Sequence, residues 1–220
     1  MIIRISTLPL LFLALTWFSS LSDPTGQVTA TDDCAFAKDI PVVEDYMRLI
    51  TFADPYLGNF DADVTVIEYF DPNCPHCKTL HPIMKQVVAE NGKKARFFMI
   101  PFVLWQYSVI QAEALFVAGQ DGKYFEMLDA QYQAQQPKGM SLDEVVNLAK
   151  NIGLDPVKFK TRMERGMNQR MIMARREEIR ELGVQGTPAV MINGKFVDGG
   201  SKSFACINEL IKKEAAIKQG

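Results

Sequence analysis

The pattern of apolar and polar residues predicts a buried strand directly followed by a helix. Residues 64–70 read Val-Thr-Val-Ile-Glu-Tyr-Phe, a run that is largely apolar on both faces, as is typical of a central strand. The stretch from 74 to about 90 then has the composition of a helix, in which Pro82 is expected to introduce a kink or an interruption. Residues 95–100, Ala-Arg-Phe-Phe-Met-Ile, predict a second strand that ends at Pro101.

A block of helices is predicted next. Ser141 and Glu144 have the spacing of a capping box, and Asp155 followed by a proline is a typical helix start. The run Arg175-Arg176-Glu177-Glu178 is expected to form a solvated helix face. The five helices are predicted at 108–118, at 123–135, from Ser141 to near Gly153, from Asp155 onward, and at 171–182.

Strand patterns return near the C-terminus. Asn193-Gly194 separates the strand-like runs 189–192 and 195–197, and this dipeptide is the strongest short hairpin signal. An amphipathic helix is predicted from about 203 to 217. The order of elements is therefore strand, helix, strand, helical block, hairpin and helix, which indicates an α/β fold that contains an all-helical insertion.

The N-terminal residues have the features of a targeting segment. Arg4 precedes an apolar stretch at 8–18, and small residues follow it. This pattern predicts a secretory signal peptide over residues 1–22, cleaved after Ser22 or, as an alternative, after Ala30. An uncleaved anchor is the other interpretation. Export predicts an oxidising compartment, where disulfides persist.

Two further segments precede the first predicted strand. Residues 23–53 are interpreted as an N-terminal segment, polar at first and containing a short helix at about 40–52. Residues 54–59, Asp-Pro-Tyr-Leu-Gly-Asn, have the composition of a turn.

Composition limits the possible functions. The chain has 220 residues, of which 48% are hydrophobic, and this suits one domain or one domain with a large insertion. The net charge of −2 argues against nucleic acid as a partner.

The motif Cys74-Pro75-His76-Cys77 carries the chemistry. It places a thiol at the start of the predicted helix, where unpaired backbone N–H groups and the helix dipole favour the reactive thiolate. The second thiol, one turn further on, can close a disulfide with the first. A CxxC pair can also be half of a zinc site or a structural disulfide.

No metal site is expected. A zinc site needs four ligands, and the chain has no second CxxC pair and no HxxxH motif. The remaining candidate ligands are His76, His81, Cys34 and Cys206.

A second motif, Gly186-Thr187-Pro188, lies directly before the hairpin. With both motifs present, the chain resembles the thioredoxin superfamily, and specifically the DsbA-like periplasmic thiol–disulfide oxidoreductases. The tetrad at 74–77 is identical to the DsbA tetrad, and Pro82 matches the proline common in this helix of thioredoxins. Thr187 and Pro188 match the threonine and cis-proline beside the family's active site.

The resemblance covers about residues 54–215 and implies the thioredoxin fold, a mixed central β-sheet flanked by helices, with an inserted all-helical subdomain. The first part of the fold would then comprise residues 54–107, the insertion 108–183 and the second part 184–220.

The resemblance also implies residue roles within the tetrad. Cys74 would be the exposed nucleophile that forms mixed disulfides, and Cys77 the more buried resolving thiol. His76 would favour the Cys74 thiolate through hydrogen bonding or partial charge; the alternative is a surface histidine at a helix start. His81 stands where the best-known DsbA has a glutamate, and both a functional and a purely structural role remain open for it.

Three residues outside the tetrad complete the implied active site. Pro188 would be cis and face the sulfurs, and the Thr187 backbone would then pair with an extended peptide. A trans proline in an ordinary turn is the alternative for Pro188. Glu68 would be a buried acid that helps to move the proton of the second cysteine, and the alternative is a solvated glutamate at a strand edge.

Cys34 and Cys206 form a second pair of cysteines. They lie near opposite ends of the predicted mature chain, and the termini of a domain are often close together. We expect a structural disulfide, because two free thiols rarely stay reduced after export. The alternative is two buried, unpaired cysteines.

An apolar run follows the second strand at residues 102–107. Phe102, Val103, Leu104, Trp105 and Tyr107 can line a groove for unfolded substrate or pack against helices, and we favour packing.

The resulting hypothesis is a periplasmic dithiol oxidase without a cofactor. The disulfide of Cys74 and Cys77 would accept electrons from paired cysteines of unfolded exported proteins. A membrane quinone-linked partner would reoxidise the enzyme, which is expected to be a monomer. The alternatives are a disulfide isomerase or reductase, towards which Thr187 leans by resemblance, a metal or copper chaperone that uses the CxxC pair, and a purely structural protein.

Overall fold

The computed structural model describes residues 34–218, and these contain one five-stranded sheet in the order β1-β3-β2-β4-β5. Strands β2 and β3 are parallel, and the other neighbouring pairs are antiparallel. The predicted signal peptide and its cleavage sites lie outside the described residues. The strands are β1 (Tyr56–Gly58), β2 (Val64–Phe70), β3 (Ala95–Pro101), β4 (Ala189–Ile192) and β5 (Lys195–Phe196).

Strand β2 is the middle strand of the sheet. All seven of its residues are buried, and it pairs with β3 on one side and β4 on the other. Alternate residues serve two separate cores: Val66 packs with α1 (Pro75–Asn91) on one face, whereas Ile67 packs with Ile179 on the other. The carboxyl end of β2 leads directly into the CxxC motif.

Strand β1 corrects the interpretation of residues 54–59 as a turn. Tyr56–Gly58 pairs antiparallel with β3, so that Leu57 lies opposite Phe97. Gly58 has a φ of +89°, and a Cβ at this position would lie 2.3 Å from the Ala95 carbonyl oxygen. The short helix expected at 40–52 is also shorter than predicted, since only Tyr46–Leu49 forms a single 3-10 turn.

Helix α1 has the length that the sequence predicted, but it is not interrupted. Cys74 is its N-cap and Pro75 its first residue, and the helix runs through Pro82 to Asn91 without an interruption. The proline removes one backbone hydrogen bond from the helix but does not end it.

Five helices lie between β3 and β4, where the sequence predicted the insertion; the division into domains stays a prediction. Ser141 and Glu144 form the predicted capping box, in which the Ser141 backbone N–H donates to Glu144 Oε2 over 2.7 Å. Asp155 caps the next helix by accepting from two backbone N–H groups. These helices are α2 (Val109–Gly119), α3 (Tyr124–Gln133), α4 (Leu142–Asn151), α5 (Pro156–Arg165) and α6 (Gln169–Glu181).

The expectation of a solvated face at residues 175–178 is wrong for Arg175. This side chain is buried and forms an ion pair with both carboxylate oxygens of Asp54, which is itself buried. Its Nη2 also donates to Thr51 Oγ1 over 2.9 Å. Because a buried charge needs a partner, this pair fastens α6 to the segment before β1.

The C-terminal part holds the predicted hairpin and a final helix, α7 (Phe204–Lys218). The turn residues Asn193 and Gly194 both have positive φ, +46° and +83°, as a tight hairpin of this type requires. No helix within residues 34–218 is long and apolar enough to cross a membrane.

The segment at the start of the described residues lies along β5. The Ala37 N–H donates to the Phe196 carbonyl oxygen over 2.8 Å, and the Asp198 N–H donates to the Ala35 carbonyl oxygen over 3.0 Å. Cys34 forms a disulfide with Cys206 on α7, with an S–S distance of 2.04 Å, so the alternative of two unpaired cysteines does not hold. The N-terminal segment is thereby attached to both the sheet and the last helix.

Candidate active site

Cys74 lies at the junction of β2 and α1. Its backbone N–H donates to the Asp71 carbonyl oxygen over 3.0 Å, which fixes the turn before the helix. Its thiol donates to the Thr187 carbonyl oxygen over 3.4 Å. The expectation that Cys74 is exposed is wrong, because only 3% of the residue is accessible. The Thr187 loop covers the sulfur, while His76 next to it is exposed.

The surroundings of Cys74 favour its thiolate. Its pKa is lowered from the ordinary value to about 5, chiefly by a hydrogen bond from the Cys77 thiol. The Thr187 side chain and the backbone N–H groups of Cys77 and His76 act in the same direction, and burial opposes them. This is the stabilisation expected for a sulfur at a helix N-terminus.

Cys77 has a pKa that is shifted in the opposite direction from that of Cys74. It is completely buried one turn into α1, and burial raises the pKa of its thiol. The hydrogen bond to Cys74 and the charge of the Cys74 thiolate raise it further. The two thiols therefore divide into a thiolate at the helix start and a protonated thiol behind it.

A cis peptide bond joins Thr187 to Pro188, so the alternative of a trans proline does not hold. The buried Thr187 hydroxyl has no hydrogen-bond partner other than the two thiols among residues 34–218, and it can donate to the Cys74 thiolate. Beside this loop lies a groove of about 550 Å³, lined by His76, Pro188, Lys202 and residues of the N-terminal segment. An extended peptide can lie in such a groove against the exposed side of the loop.

Glu68 points from the middle strand into the interior. It is 2% exposed, and its Oε1 atom has no hydrogen-bond partner in the described part of the chain. Burial raises the pKa of this carboxyl to about 8. When ionised, Glu68 also raises the pKa of Cys77. A solvated glutamate at a strand edge, the alternative considered from the sequence, does not fit this position.

The two histidines occupy different environments. His76 is exposed on the groove, and its imidazole forms no hydrogen bond within residues 34–218, so the predicted role of its ring stays a prediction. His81 is buried on α1, and its Nε2 lies 2.6 Å from Asp129 Oδ1. Burial, more than the nearby Lys85, lowers the pKa of His81, while Asp129 opposes the shift.

The sequence interpretation missed three side chains around the site. Asp71 is buried and accepts from Ser108 Oγ over 2.8 Å and from the Leu104 N–H over 2.6 Å. Gln135 donates through Nε2 to the carbonyl oxygen of Cys74 over 3.1 Å. Lys202 Nζ donates to the Pro188 carbonyl oxygen over 2.6 Å. Only Asp71 had a sequence signal, since it directly follows a strand.

The apolar run after β3 divides between the two predicted roles. Phe102 and Val103 are fully buried, as core packing predicts. Trp105 and Tyr107 are 37% and 40% exposed, and their rings stack with centroids 5.6 Å apart. Together with Pro75 they line a second hollow of about 330 Å³ beside the tetrad.

Metal binding was considered from the sequence because of the CxxC motif. Within residues 34–218, no three His, Cys, Asp or Glu side chains are grouped as ligands of a metal ion would be.

The sheet order, the CxxC motif at a helix start and the cis-proline opposite it define a thiol–disulfide oxidoreductase with the thioredoxin fold. A family model described as Thioredoxin matches residues 51–213, and the chain belongs to this family.

Three similar proteins bear on the family assignment. The chain is 26% identical over 170 residues to the probable disulfide bond formation protein D of Bacillus anthracis, a match that covers 72% of this chain and 76% of the relative. It is 26% identical over 169 residues to a putative protein-disulfide oxidoreductase of Rickettsia conorii, covering 73% of this chain and 60% of that protein. The crystal structure of the thiol-disulfide exchange protein alpha-DsbA2 from Wolbachia pipientis superposes with a TM-score of 0.68 and 24% identity. That match covers 77% of this chain and 91% of the Wolbachia chain. These matches confirm the resemblance to DsbA-like proteins and the thioredoxin fold.

Proposed function

We propose that the chain is a dithiol oxidase that introduces disulfides into exported proteins. The observation that carries this proposal is the opposite tuning of the two thiols, because the pKa of Cys74 is lowered to about 5 while that of Cys77 is raised. A stabilised thiolate favours the reduced form of the enzyme. The disulfide form then accepts electrons readily from substrate thiols.

The first step breaks the enzyme disulfide. A substrate thiolate attacks Cys74 Sγ, a mixed disulfide forms, and the electron pair of the Cys74–Cys77 bond leaves on the Cys77 sulfur. Because burial raises the pKa of Cys77, this sulfur takes up a proton. Glu68, whose pKa of about 8 keeps it protonated at neutral pH, is the buried acid on the strand behind it.

The second step releases the product. A second substrate thiolate attacks the substrate sulfur of the mixed disulfide, and Cys74 leaves as a thiolate. The substrate loses two electrons and gains a disulfide, and the enzyme gains the two electrons as a thiolate and a thiol. The low pKa of Cys74 makes it a good leaving group in this step.

The groove supplies the proposed substrate contact. The backbone at Thr187 faces it beside the sulfur, and an extended peptide would pair with backbone rather than with particular side chains. We therefore propose unfolded or partly folded exported proteins as substrates, export to the periplasm, a monomeric enzyme and a membrane quinone-linked partner that reoxidises it.

A glutathione titration tests the redox role. The oxidised full chain is equilibrated with glutathione buffers, and the reduced fraction of the 74–77 pair is measured by alkylation and mass. An oxidising midpoint supports the oxidase, because the Cys74 thiolate stabilises the reduced form. A strongly reducing midpoint contradicts it and favours a reductase.

A substrate assay separates the remaining alternatives. Oxidation of a reduced two-cysteine peptide is expected to be lost in both Cys74→Ser and Cys77→Ser, because neither variant can form the 74–77 disulfide. With an oxidised peptide, the Cys74 thiolate of Cys77→Ser is expected to attack the peptide disulfide and accumulate the mixed disulfide, since no second enzyme thiol resolves it. Efficient rescue of a scrambled substrate would instead indicate an isomerase. Metal found by elemental analysis at one ion per chain, with thiols protected from titration, would indicate a metal chaperone.

A further inference from the structure

Lys202 lies between the hairpin and α7, directly after the 3-10 turn Gly199–Ser201. Its side chain is half-buried, and its ammonium group donates to the Pro188 carbonyl oxygen over 2.6 Å. The residue also lines the groove beside the cis-proline. A lysine charge is therefore held at the loop that contacts the Cys74 sulfur.

The hydrogen bond from Lys202 holds the Pro188 carbonyl at the edge of the sheet. Pairing of β4 with β2 begins at Ala189 opposite Tyr69, so the Pro188 carbonyl lies just outside the strand ladder. A charge-assisted hydrogen bond is stronger than a neutral one and fixes such a carbonyl in place. Since Thr187 is the preceding residue, Lys202 helps to hold the loop that lies against the Cys74 sulfur.

The ammonium group has no carboxylate partner at ion-pair distance within residues 34–218. Burial of an unpaired charge is unfavourable, and it lowers the pKa of Lys202. Negative charge on Cys77, Asp198 or Cys74, when these groups are ionised, acts in the opposite direction. By contrast, other lysines of the described chain do pair with acids: Lys85, Lys123, Lys160, Lys195 and Lys213.

The negative charge near Lys202 depends on the redox state of the 74–77 pair. When the 74–77 pair is reduced, the Cys74 thiolate supplies a negative charge near the ammonium group, and in the disulfide state it does not. Since electrostatic attraction is mutual, a cation that the thiolate stabilises also stabilises the thiolate. Lys202 then favours the reduced form over the oxidised form.

We propose that Lys202 is a positioning residue of the active site, which holds the cis-proline loop through the Pro188 carbonyl and stabilises the Cys74 thiolate by its charge. This inference rests on the proposed redox function and adds an electrostatic contribution from outside the CxxC helix.

Other groups act on Cys74, on Cys77 or on Lys202 itself, and the test must hold them constant. They lie on α1, on the turn before it, on β2, on α3 and on the loops beside β4 and β5. The groups are Cys77, His76, Asp71, Glu68, Tyr132, Thr187 and Asp198.

Three substitutions at Lys202 separate the effect of its charge from the effect of its hydrogen bond to Pro188. Lys202→Met removes both the charge and the hydrogen bond, Lys202→Gln removes the charge but keeps a donor, and Lys202→Arg keeps both. Lys212→Met, at an exposed lysine on α7, is the matched control. Circular dichroism and thermal unfolding check the fold, and the Gln variant keeps the test valid if the Met variant does not fold.

Two quantities are measured on the full chain: the pKa of the Cys74 thiolate by ultraviolet absorbance, and the equilibrium constant with glutathione. We expect the Met and Gln variants to raise that pKa by about half a unit. The equilibrium should then shift about threefold towards the oxidised enzyme. The Arg variant and the Lys212→Met control should match the parent.

An unchanged thiolate pKa and an unchanged equilibrium in the Gln and Met variants would overturn the role of Lys202 while leaving the proposed oxidase intact. An ordinary thiol pKa in the parent protein would instead overturn the proposed function itself. A shift in Lys202→Met that is absent from Lys202→Gln would assign the effect to the hydrogen bond and overturn the role of the charge.

Discussion

Cys74 and Cys77 are chemically identical side chains separated by one helical turn, yet their environments move their acidities in opposite directions. Cys74 receives hydrogen bonds at the helix start, whereas Cys77 is enclosed by the core and faces the charge of its neighbour. Glu68 on the adjacent strand is buried with one oxygen unpaired. Individual residue environments, rather than residue types, therefore distinguish the two sulfurs.

The buried carboxyl predicts a particular pH dependence of stability. Because the pKa of Glu68 is raised to about 8, its favourable contribution is complete below its usual pKa and is lost as the pH rises through 8. Between about pH 5 and pH 9, the free energy of unfolding of the parent should fall by up to roughly 4 kcal/mol because of Glu68. We expect this fall to be absent in Glu68→Gln. Denaturant unfolding of the oxidised protein across this range measures the difference.

The exposed Glu181→Gln variant is the control for this prediction and should follow the parent. Parallel stability curves for the parent and Glu68→Gln would show that Glu68 titrates with an ordinary pKa.

Helix α3 and the residues after it contact the active-site loop directly. Gln135 donates through Nε2 to the carbonyl oxygens of Pro72 and Cys74, at 2.9 and 3.1 Å. Tyr132 on α3 packs against Phe70 and His81, with ring centroids 6.2 and 4.8 Å away. The helices between β3 and β4 therefore cover the back of the site and also hold the loop that ends in Cys74.

Gln135→Ala should loosen this loop without altering the thiols themselves. Loss of two hydrogen bonds to partly buried carbonyls is expected to lower the free energy of unfolding by about 1–3 kcal/mol. We expect faster hydrogen exchange at the Asn73 and Cys74 amides in the reduced protein, measured by mass spectrometry. Gln133→Ala, at an exposed residue at the end of α3, is the control. Unchanged exchange at these amides would mean that the loop is held without Gln135.

At the scale of the whole molecule, the disulfide between Cys34 and Cys206 joins residues 172 positions apart. It holds the N-terminal segment against β5, and Ala37, Asp39 and Ile40 of that segment line the groove beside Pro188. The same covalent bond thus contributes to stability and shapes one wall of the proposed substrate site.

Replacing both cysteines by serine is expected to lower the free energy of unfolding by about 2–5 kcal/mol, because the unfolded chain regains the entropy of an open loop. It should also raise the KM for a peptide substrate more than it changes kcat, since the groove loses a fixed wall. Chemical unfolding and steady-state kinetics measure the two effects. A double alanine variant serves as the control for burial of the new hydroxyls, and an unchanged KM would place the substrate elsewhere.

Some features of the chain were predictable because they depend on residues close together in sequence. The strand before the tetrad, the helix start at Cys74, the capping box at Ser141 and the Asn193-Gly194 turn all follow from local backbone preferences and short hydrogen bonds. The edge strand Tyr56–Gly58 was missed because three residues carry little pattern and their pairing partner is distant in the chain.

The sequence by itself determined the order of the elements from β2 onward and the presence of two thiols one turn apart at a helix start, since helix geometry and turn chemistry act over a few residues. Only the tertiary structure decided that Cys74 is covered, that Arg175 is buried against Asp54, and that Lys202 reaches Pro188. Burial and such contacts arise when segments far apart in the chain pack together, and local patterns do not specify which segments will meet.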